Sequence, residues 1–273
     1  MRGSILLAPE GVNGTIAGPD GGINRVIGHL RSFPGCDGMD WKDSPADTLP
    51  FARMKVRLKR EIVTMGQPDV DPLAGTGRHV SPADWNTLIE APDVVVIDTR
   101  NAYEVAIGSF AGAIDPGTAA FGDFPAWWQA NRERLEGKRV AMFCTGGIRC
   151  EKSTNYLLGQ GVAEVFHLKG GILKYLEEVP QDESLWQGQC FVFDQRVSVG
   201  HGLKPGGLTL CGGCRRPLRP ADLVHPDYEQ GVSCHSCADD HSEADRARFR
   251  ERQRQMILAA ERGQRHLGGP DRG

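Results

Sequence analysis

The sequence contains no long hydrophobic run. Its apolar stretches are short, for example the four residues Val94–Ile97, whereas a membrane-spanning helix needs roughly 18. The apolar stretch near the N-terminus, Ile5–Ala8, ends at Pro9 and is too short for the apolar region of a signal peptide. We therefore expect a cytoplasmic protein with no segment in a membrane.

Aromatic residues are few, at 7%, and neither sign of charge dominates, since the formal net charge is -3. With 40% hydrophobic and 25% charged residues, the composition is that of a soluble globular protein and excludes collagen and bulk disorder. Basic charge is nevertheless concentrated, because Arg246–Arg265 holds seven arginines and two glutamates. This segment either contacts a polyanion or forms a solvated helix.

The pattern of the chain divides it into five parts. Residues 79–185 alternate strand and helix patterns, which predicts an α/β unit with a parallel sheet. The buried strands in this unit are expected at Val94–Ile97 and Arg139–Phe143. The other parts are an N-terminal module at 1–65, a linker at 66–78, a cysteine-rich region at 186–241 and an arginine-rich helical tail at 242–273.

Cys144 begins the most informative motif. The segment Cys144–Arg149 follows a predicted buried strand and precedes a helical run that begins near Glu151. Two glycines in this segment allow successive backbone N–H groups to point inward, and the helix dipole adds positive charge. We therefore expect an anion-binding loop formed by Thr145, Gly146, Gly147 and Ile148.

A cysteine at the edge of such a loop would have a stabilised thiolate and would be a nucleophile at neutral pH. Because Arg149 can supply a fixed positive charge, Cys144 and Arg149 are the predicted catalytic residues. The alternative is that Cys144 is a small buried apolar side chain. Cys150 is either a resolving partner that forms a disulfide with Cys144 or simply a residue of the first helical turn.

Asp98, Arg100 and Cys150 are expected to support the loop in our interpretation. Asp98 and Arg100 stand at the end of its first buried strand. Such a pair is expected to brace the loop rather than to take part in chemistry. The isolated His167 is interpreted as a packing residue.

Several segments of this unit resemble the rhodanese family. Cys144–Arg149 is similar to the active loop of a rhodanese domain, and Asp98–Arg100, Glu104 and Gly112–Ile114 are similar to the family's earlier segments. Four residues separate Cys144 from Arg149, as in the sulfurtransferases, whereas related cysteine phosphatases have a longer loop. The resemblance implies a rhodanese-like catalytic domain and disfavours phosphatase activity.

Three separated segments extend this resemblance to the bacterial oxygen-dependent tRNA uridine hydroxylases. They are Leu7–Thr15, Phe143–Ser153 and Cys190–Asp194. The resemblance implies conversion of the wobble uridine 34 of tRNA into 5-hydroxyuridine, with molecular oxygen as co-substrate and the loop cysteine as the essential residue. Family members usually have one more strand and helix before the segment that opens this chain. The N-terminal module is therefore expected to be a partial ferredoxin-like, or acylphosphatase-like, unit.

Two other functions stay open at this point. A rhodanese-type sulfurtransferase would use the same loop to carry a persulfide on Cys144. A non-catalytic tRNA-binding protein would tolerate the loss of Cys144.

The segment Arg53–Lys59 alternates basic and apolar residues and is predicted to form a strand. Its apolar residues Met54, Val56 and Leu58 are expected to face a core. Its cations would lie on the opposite face about 6.6 Å apart, as a ladder formed by Arg53, Lys55, Arg57 and Lys59. By itself this pattern favours a solvated face, but the family resemblance favours contact with tRNA phosphates.

Two C-x2-C pairs in the cysteine-rich region are separated by 19 residues. This spacing allows four thiolates to converge on one zinc ion in a tetrahedron. The surrounding sequence is polar, so a structural metal would replace hydrophobic burial. The predicted ligands are Cys211, Cys214, Cys234 and Cys237, and the alternative is four free thiols.

Overall fold

The structure of the protein is a computed structural model that describes residues 1–44 and 49–263. The strands are β1 (Arg2–Ala8), β2 (Gly11–Ala17), β3 (Met54–Leu58), β4 (Arg78–Val80), β5 (Val94–Asp98), β6 (Gly108–Phe110), β7 (Arg139–Phe143), β8 (Val165–Leu168), β9 (Trp186–Gly188), β10 (Cys190–Phe191), β11 (Ser198–Val199), β12 (Thr209–Leu210) and β13 (Pro217–Leu218). The α-helices are α1 (Asp20–Arg31), α2 (Pro82–Ile89), α3 (Ala102–Val105), α4 (Phe124–Asn131), α5 (Ile148–Gly159), α6 (Gly171–Glu178) and α7 (Glu243–Glu261). Among the described residues, no helix is both long and apolar enough to cross a membrane.

Strand β1 is the central strand of a three-stranded N-terminal sheet. It pairs antiparallel with β2 and parallel with β3, in the order β2-β1-β3. Helix α1 contacts β2, and Ile5 of β1 and Ile27 of α1 are both buried. The N-terminal module is therefore a mixed α/β unit.

The prediction that the apolar residues of β3 face a core is wrong for Val56 and Leu58. Strand β3 forms one edge of the sheet, whereas α1 contacts β2 at the other edge. As a result Val56 is 58% exposed and Leu58 is 85% exposed. The alternating pattern identified a strand but could not establish a buried face, because burial also requires an element that covers that face.

Four parallel strands form the second sheet, in the order β4-β8-β7-β5. The side chains of β7 alternate between two cores. Val140 and Met142 pack with residues of α4 and α5, while Ala141 and Phe143 pack with residues of α2 and α6. A parallel sheet with helices on both faces is the α/β arrangement that the sequence predicted.

The carboxyl ends of β5 and β7 meet at one edge of this sheet. Strand β5 ends at Asp98 and β7 ends at Phe143, and these two residues pair in the sheet. The chain then continues from β5 into Thr99, whose N–H donates to the carbonyl oxygen of Phe143 at 3.0 Å. This edge therefore brings the segment after Asp98 beside the segment that begins at Cys144.

The segments on either side of residues 79–185 pack against this unit. Gly77 in the linker donates its N–H to Oγ1 of Thr154 on α5, at 2.9 Å. On the other side, β9 pairs with β6, and Trp186 and Val199 belong to the buried core around Phe143. We propose the same five parts with one boundary moved. Residues 186–199 are grouped with the parallel-sheet unit and not with the cysteine-rich region.

Helix α7 lies against the cysteine-rich region. Arg250 forms an ion pair with Glu229, with Nε and Oε1 2.6 Å apart. Arg252 donates hydrogen bonds to two backbone carbonyls of the cysteine-rich region. Some arginines of the tail thus fix the helix to the rest of the chain, while Arg265 lies outside the described residues.

Candidate active site

Cys144 follows β7 directly and begins a short loop that leads into α5. The sequence placed the start of this helix near Glu151, but α5 begins at Ile148. Arg149 and Cys150 therefore belong to the first helical turn. The unpaired N–H groups of that turn lie at the positive end of the helix dipole, on the side of Cys144.

Two glycines give the loop its shape. Gly147 has a φ of 97°, in the left-handed region that other residues adopt with difficulty. Gly171, with a φ of 65°, brings the start of α6 so close that a Cβ atom there would lie 2.5 Å from the carbonyl oxygen of Cys144. That carbonyl accepts a hydrogen bond from the N–H of Ile172 at 3.0 Å. The loop is thus held between the first turns of α5 and α6.

The Cys144 thiol is buried, and Gly146 beside it is exposed. The Sγ atom of Cys144 accepts a hydrogen bond from the N–H of Gly147 at 3.1 Å. Burial raises the pKa of Cys144, but the Cys150 thiol, the Arg149 charge and the N–H groups of the first turn outweigh burial and hold this pKa at about 6. Cys144 is therefore mainly a thiolate at neutral pH, which is the nucleophilic form.

The guanidinium group of Arg149 is held by Glu104 of α3. Nη1 donates to Oε2 at 2.7 Å, and Nη2 donates to Oε1 at 2.8 Å. Both side chains are buried, and Arg149 keeps the pKa of Glu104 below its usual value although burial acts to raise it. Because both Nη groups of Arg149 donate to Glu104, Arg149 acts on Cys144 as a nearby fixed positive charge.

Cys150 lies between Cys144 and Thr99. Its Sγ is 3.6 Å from Oγ1 of Thr99, which in turn donates to the carbonyl of Phe143 at 2.9 Å. Burial raises the pKa of the Cys150 thiol, and the neighbouring Cys144 thiolate raises it further. Cys150 therefore stays protonated and can donate to the thiolate, while its role as a resolving partner remains a prediction.

Asp98 and Arg100 form a fully buried ion pair beside the segment that carries Glu104. Arg100 donates from Nε and Nη2 to the two carboxylate oxygens of Asp98, at 2.9 and 2.6 Å. Its Nη1 also donates to the carbonyl oxygen of Glu104 at 3.2 Å. The pair therefore supports the segment that presents Glu104, and Glu104 in turn positions Arg149.

The comparisons with known proteins agree with this architecture. Residues 1–62 match the UPF0176 acylphosphatase like domain, and residues 81–178 match the Rhodanese-like domain. The tRNA uridine(34) hydroxylase of Ruegeria pomeroyi is 67% identical over 267 residues, which cover 98% of this chain and 89% of that protein. The chain belongs to the tRNA uridine(34) hydroxylase family. The family resemblance and the fold class inferred from the sequence are both confirmed.

Two further relatives support membership of this family. The tRNA uridine(34) hydroxylase of Roseobacter denitrificans is 65% identical over 262 residues, covering 96% of this chain and 88% of that protein. The protein of the same name from a Jannaschia species is 64% identical over 271 residues, covering 99% of this chain and 90% of that protein. The similarity thus extends well beyond the rhodanese-like domain.

The four cysteines of the two C-x2-C pairs converge in the cysteine-rich region. The Sγ atoms of Cys211 and Cys237 are 3.7 Å apart, those of Cys214 and Cys234 are 3.8 Å apart, and those of Cys234 and Cys237 are 3.9 Å apart. A tetrahedral ion with metal–sulfur bonds of about 2.3 Å has sulfur–sulfur edges of about 3.8 Å. This cluster could therefore bind a metal ion.

Two members of the basic ladder lie on β3 and the other two flank it, because the strand is one residue shorter at each end than the predicted segment Arg53–Lys59. The four side chains of the ladder are exposed and form no ion pair with any residue that the structure describes. The members are Arg53, Lys55, Arg57 and Lys59. Within residues 1–44 and 49–263 no acidic group neutralises these charges, and contact of the ladder with tRNA remains a prediction.

Glu104 is the main site residue that sequence reasoning left without a role. At the start of α3 the N–H of Asn101 donates to Oε2 of Glu104 at 3.2 Å, and the N–H of Glu104 donates to the backbone carbonyl oxygen of Asn101 at 2.8 Å. The spacing of an asparagine and a glutamate three residues later was a visible signal for this helix start. Nothing in the local pattern indicated that the same carboxylate would hold Arg149.

Proposed function

We propose that this chain hydroxylates uridine 34 of tRNA to 5-hydroxyuridine, with Cys144 as nucleophile and molecular oxygen as co-substrate. The observation that carries the proposal is the identity of 64–67% over nearly the whole chain to proteins named tRNA uridine(34) hydroxylase. The site supports it independently, because the loop holds a thiolate beside a fixed cation. Since tRNA is the substrate, we place the protein in the cytoplasm.

The first chemical step is addition of the Cys144 thiolate to C6 of the uracil ring. The new bond joins Sγ to C6, and the electron pair of the C5–C6 double bond moves toward C5 and the O4 oxygen as an enolate. The charge of Arg149 and the N–H groups of the loop stabilise this developing negative charge. Because Gly146 is the exposed residue beside the buried thiol, the base approaches the loop over Gly146.

The second step transfers one oxygen atom to C5. Its donor is a species at the oxidation level of peroxide, formed from molecular oxygen by two electrons from an external donor. C5 attacks one oxygen atom as the O–O bond breaks, and the other oxygen atom leaves as hydroxide, which takes up the proton released from C5 and becomes water. Loss of the C5 proton and departure of the Cys144 thiolate then restore the double bond, so the nucleophile is regenerated.

The remaining parts of the chain have supporting roles in this proposal. The ladder formed by β3 and its two flanking residues binds tRNA phosphates, and these contacts position the anticodon without reading its sequence. The four-cysteine cluster holds a structural zinc ion, because thiolate ligands with tetrahedral spacing suit zinc. That ion would stabilise a region whose own hydrophobic core is small.

Analysis of tRNA nucleosides tests the proposed function. The cells have their own copy of the gene deleted. When they express the wild-type chain, their tRNA should contain 5-hydroxyuridine or nucleosides derived from it, and when they express Cys144→Ser it should contain neither. Arg149→Lys should restore only part of the product, because a lysine cannot form the two-pronged pair with Glu104. Product in the Cys144→Ser strain at the wild-type level would refute the role of the thiolate.

A further inference from the structure

Three side chains with metal-binding atoms meet on the sheet face that α5 covers, away from the four-cysteine cluster. His79 of β4 and His167 of β8 are paired neighbours in the parallel sheet, and their rings are 4.0 Å apart between centroids. Glu151 of α5 reaches the same place, with Oε1 3.0 Å from Nε2 of His79. One ligand atom from each of the three residues lies within 4.8 Å of the other two.

The hydrogen bonds of His167 leave one ring nitrogen free. Nε2 lies 3.0 Å from the carbonyl oxygen of Gly77, and a carbonyl can only accept, so Nε2 carries the proton. Nδ1 therefore has a lone pair. The His167 side chain is fully buried, and Nδ1 has no hydrogen-bond partner among the residues that the structure describes. A buried, unpaired acceptor is unfavourable unless another group occupies its lone pair.

A metal ion would satisfy this nitrogen. Metal-binding histidines commonly donate their other ring N–H to a backbone carbonyl, which fixes the ring, and His167 makes this contact with Gly77. His79 and Glu151 are partly exposed, with 45% and 31% of their side-chain surfaces accessible. An ion can therefore enter from solvent, and these two side chains can adjust around it while His167 stays fixed.

We propose that His79, Glu151 and His167 bind a divalent transition-metal ion of the zinc class. Two imidazoles and one carboxylate suit zinc and its neighbours in the first transition row and do not suit calcium or magnesium, which prefer oxygen ligands. The ion would join the edge strand β4, strand β8 and the first turn of α5. That turn also carries Arg149 and Cys150, so the metal would stabilise the element that shapes the cysteine loop.

Zinc binding by the full chain tests this second site. Protein that already holds the metal of its four-cysteine cluster is dialysed against graded concentrations of free zinc, and bound zinc per chain is measured by elemental analysis. Wild-type protein should take up one zinc ion more than His79→Ala. Glu151→Gln should weaken this additional binding by about tenfold or more. His29→Ala removes an exposed histidine elsewhere and should leave the additional ion bound.

Thermal unfolding gives a second readout of the same site. Added zinc should raise the Tm of the wild-type chain and of His29→Ala, because an ion that binds only the folded state stabilises it. The Tm of His79→Ala should not respond. Equal zinc content in wild type and His79→Ala would overturn the proposal, and so would an equal response of their Tm values. The result does not depend on tRNA hydroxylation, since neither readout measures activity.

Discussion

Glu104 and Arg149 form a buried, two-pronged ion pair that joins α3 to the first turn of α5. The two N–O distances are 2.7 and 2.8 Å. Oγ1 of Thr145 lies 3.3 Å from Oε1 of Glu104, so the same carboxylate also holds the cysteine loop. The charge that favours the Cys144 thiolate is therefore fixed in place by a residue from a different strand-to-helix segment.

Replacement of Glu104 by glutamine should strongly destabilise the chain. Removing one partner of a buried ion pair leaves the other charge uncompensated, and the typical loss is about 3–5 kcal/mol in the free energy of unfolding. Denaturant unfolding measures this loss. Glu133→Gln is the matched control, because Glu133 is exposed and its side chain pairs with no described residue. A loss in Glu104→Gln no larger than in the control would contradict the importance of the pair.

Replacement of Cys150 by alanine should raise the pKa of Cys144 above its value of about 6, because the thiol that donates to the thiolate is lost. A thiolate exists above the pKa of its group. The rate of alkylation by iodoacetamide in wild type should therefore rise with pH through about 6, and in Cys150→Ala it should rise at higher pH. Cys150→Ser keeps a donor and should shift less. Cys144→Ser supplies the background rate of the other cysteines. Superimposed profiles for wild type and Cys150→Ala would show that Cys150 does not act on the thiolate.

The contrast between the cysteine loop and β3 shows what the sequence could establish. Strand, glycines and helix are local features, so Cys144–Gly147 could be placed correctly from the pattern alone. The partner of Arg149 could not, because Glu104 is distant in the chain and meets Arg149 only when β5 and β7 pair. Likewise the exposure of Leu58 depends on which edge of the sheet β3 occupies, and alternation does not encode that choice.

The four-cysteine cluster should lose its metal ion when a single ligand is replaced. Purified wild-type protein should contain about one zinc ion per chain in the four-cysteine cluster, besides any ion at the histidine site. Cys211→Ser should lose that ion and have a lower Tm, because metal binding contributes to folding of a region with a small core. Cys36→Ser is the control, since Cys36 lies outside the cluster. Elemental analysis that finds no zinc in wild type prepared without chelator would exclude the site.

The basic ladder should contribute to tRNA affinity through its charge alone. Each lost phosphate contact lowers the slope of log affinity against log salt concentration by about 0.7–0.9. Lys55→Gln/Arg57→Gln should therefore have weaker and less salt-dependent binding to all tRNAs, with turnover at saturating tRNA unchanged. Arg132→Gln/Arg134→Gln removes two exposed cations from the rhodanese-like domain and is the matched control. If both double variants keep the wild-type slope, the ladder is a solvated face.

Labelling with heavy oxygen gas shows whether the atom that this chain adds to uridine 34 comes from molecular oxygen. Hydroxylation and thiolation change the nominal mass of uridine by nearly the same amount, so the origin of the added atom has to be followed. Cells that lack the gene are supplied with the wild-type chain or with Cys144→Ser, grown under isotopically heavy dioxygen, and their uridine 34 nucleosides are analysed by high-resolution mass spectrometry. We expect one heavy oxygen atom on C5 of the nucleoside with the wild-type chain and none with Cys144→Ser. A sulfur atom that enters uridine 34 only in cells with the wild-type chain, or equal heavy-oxygen incorporation by both chains, would contradict hydroxylation by Cys144.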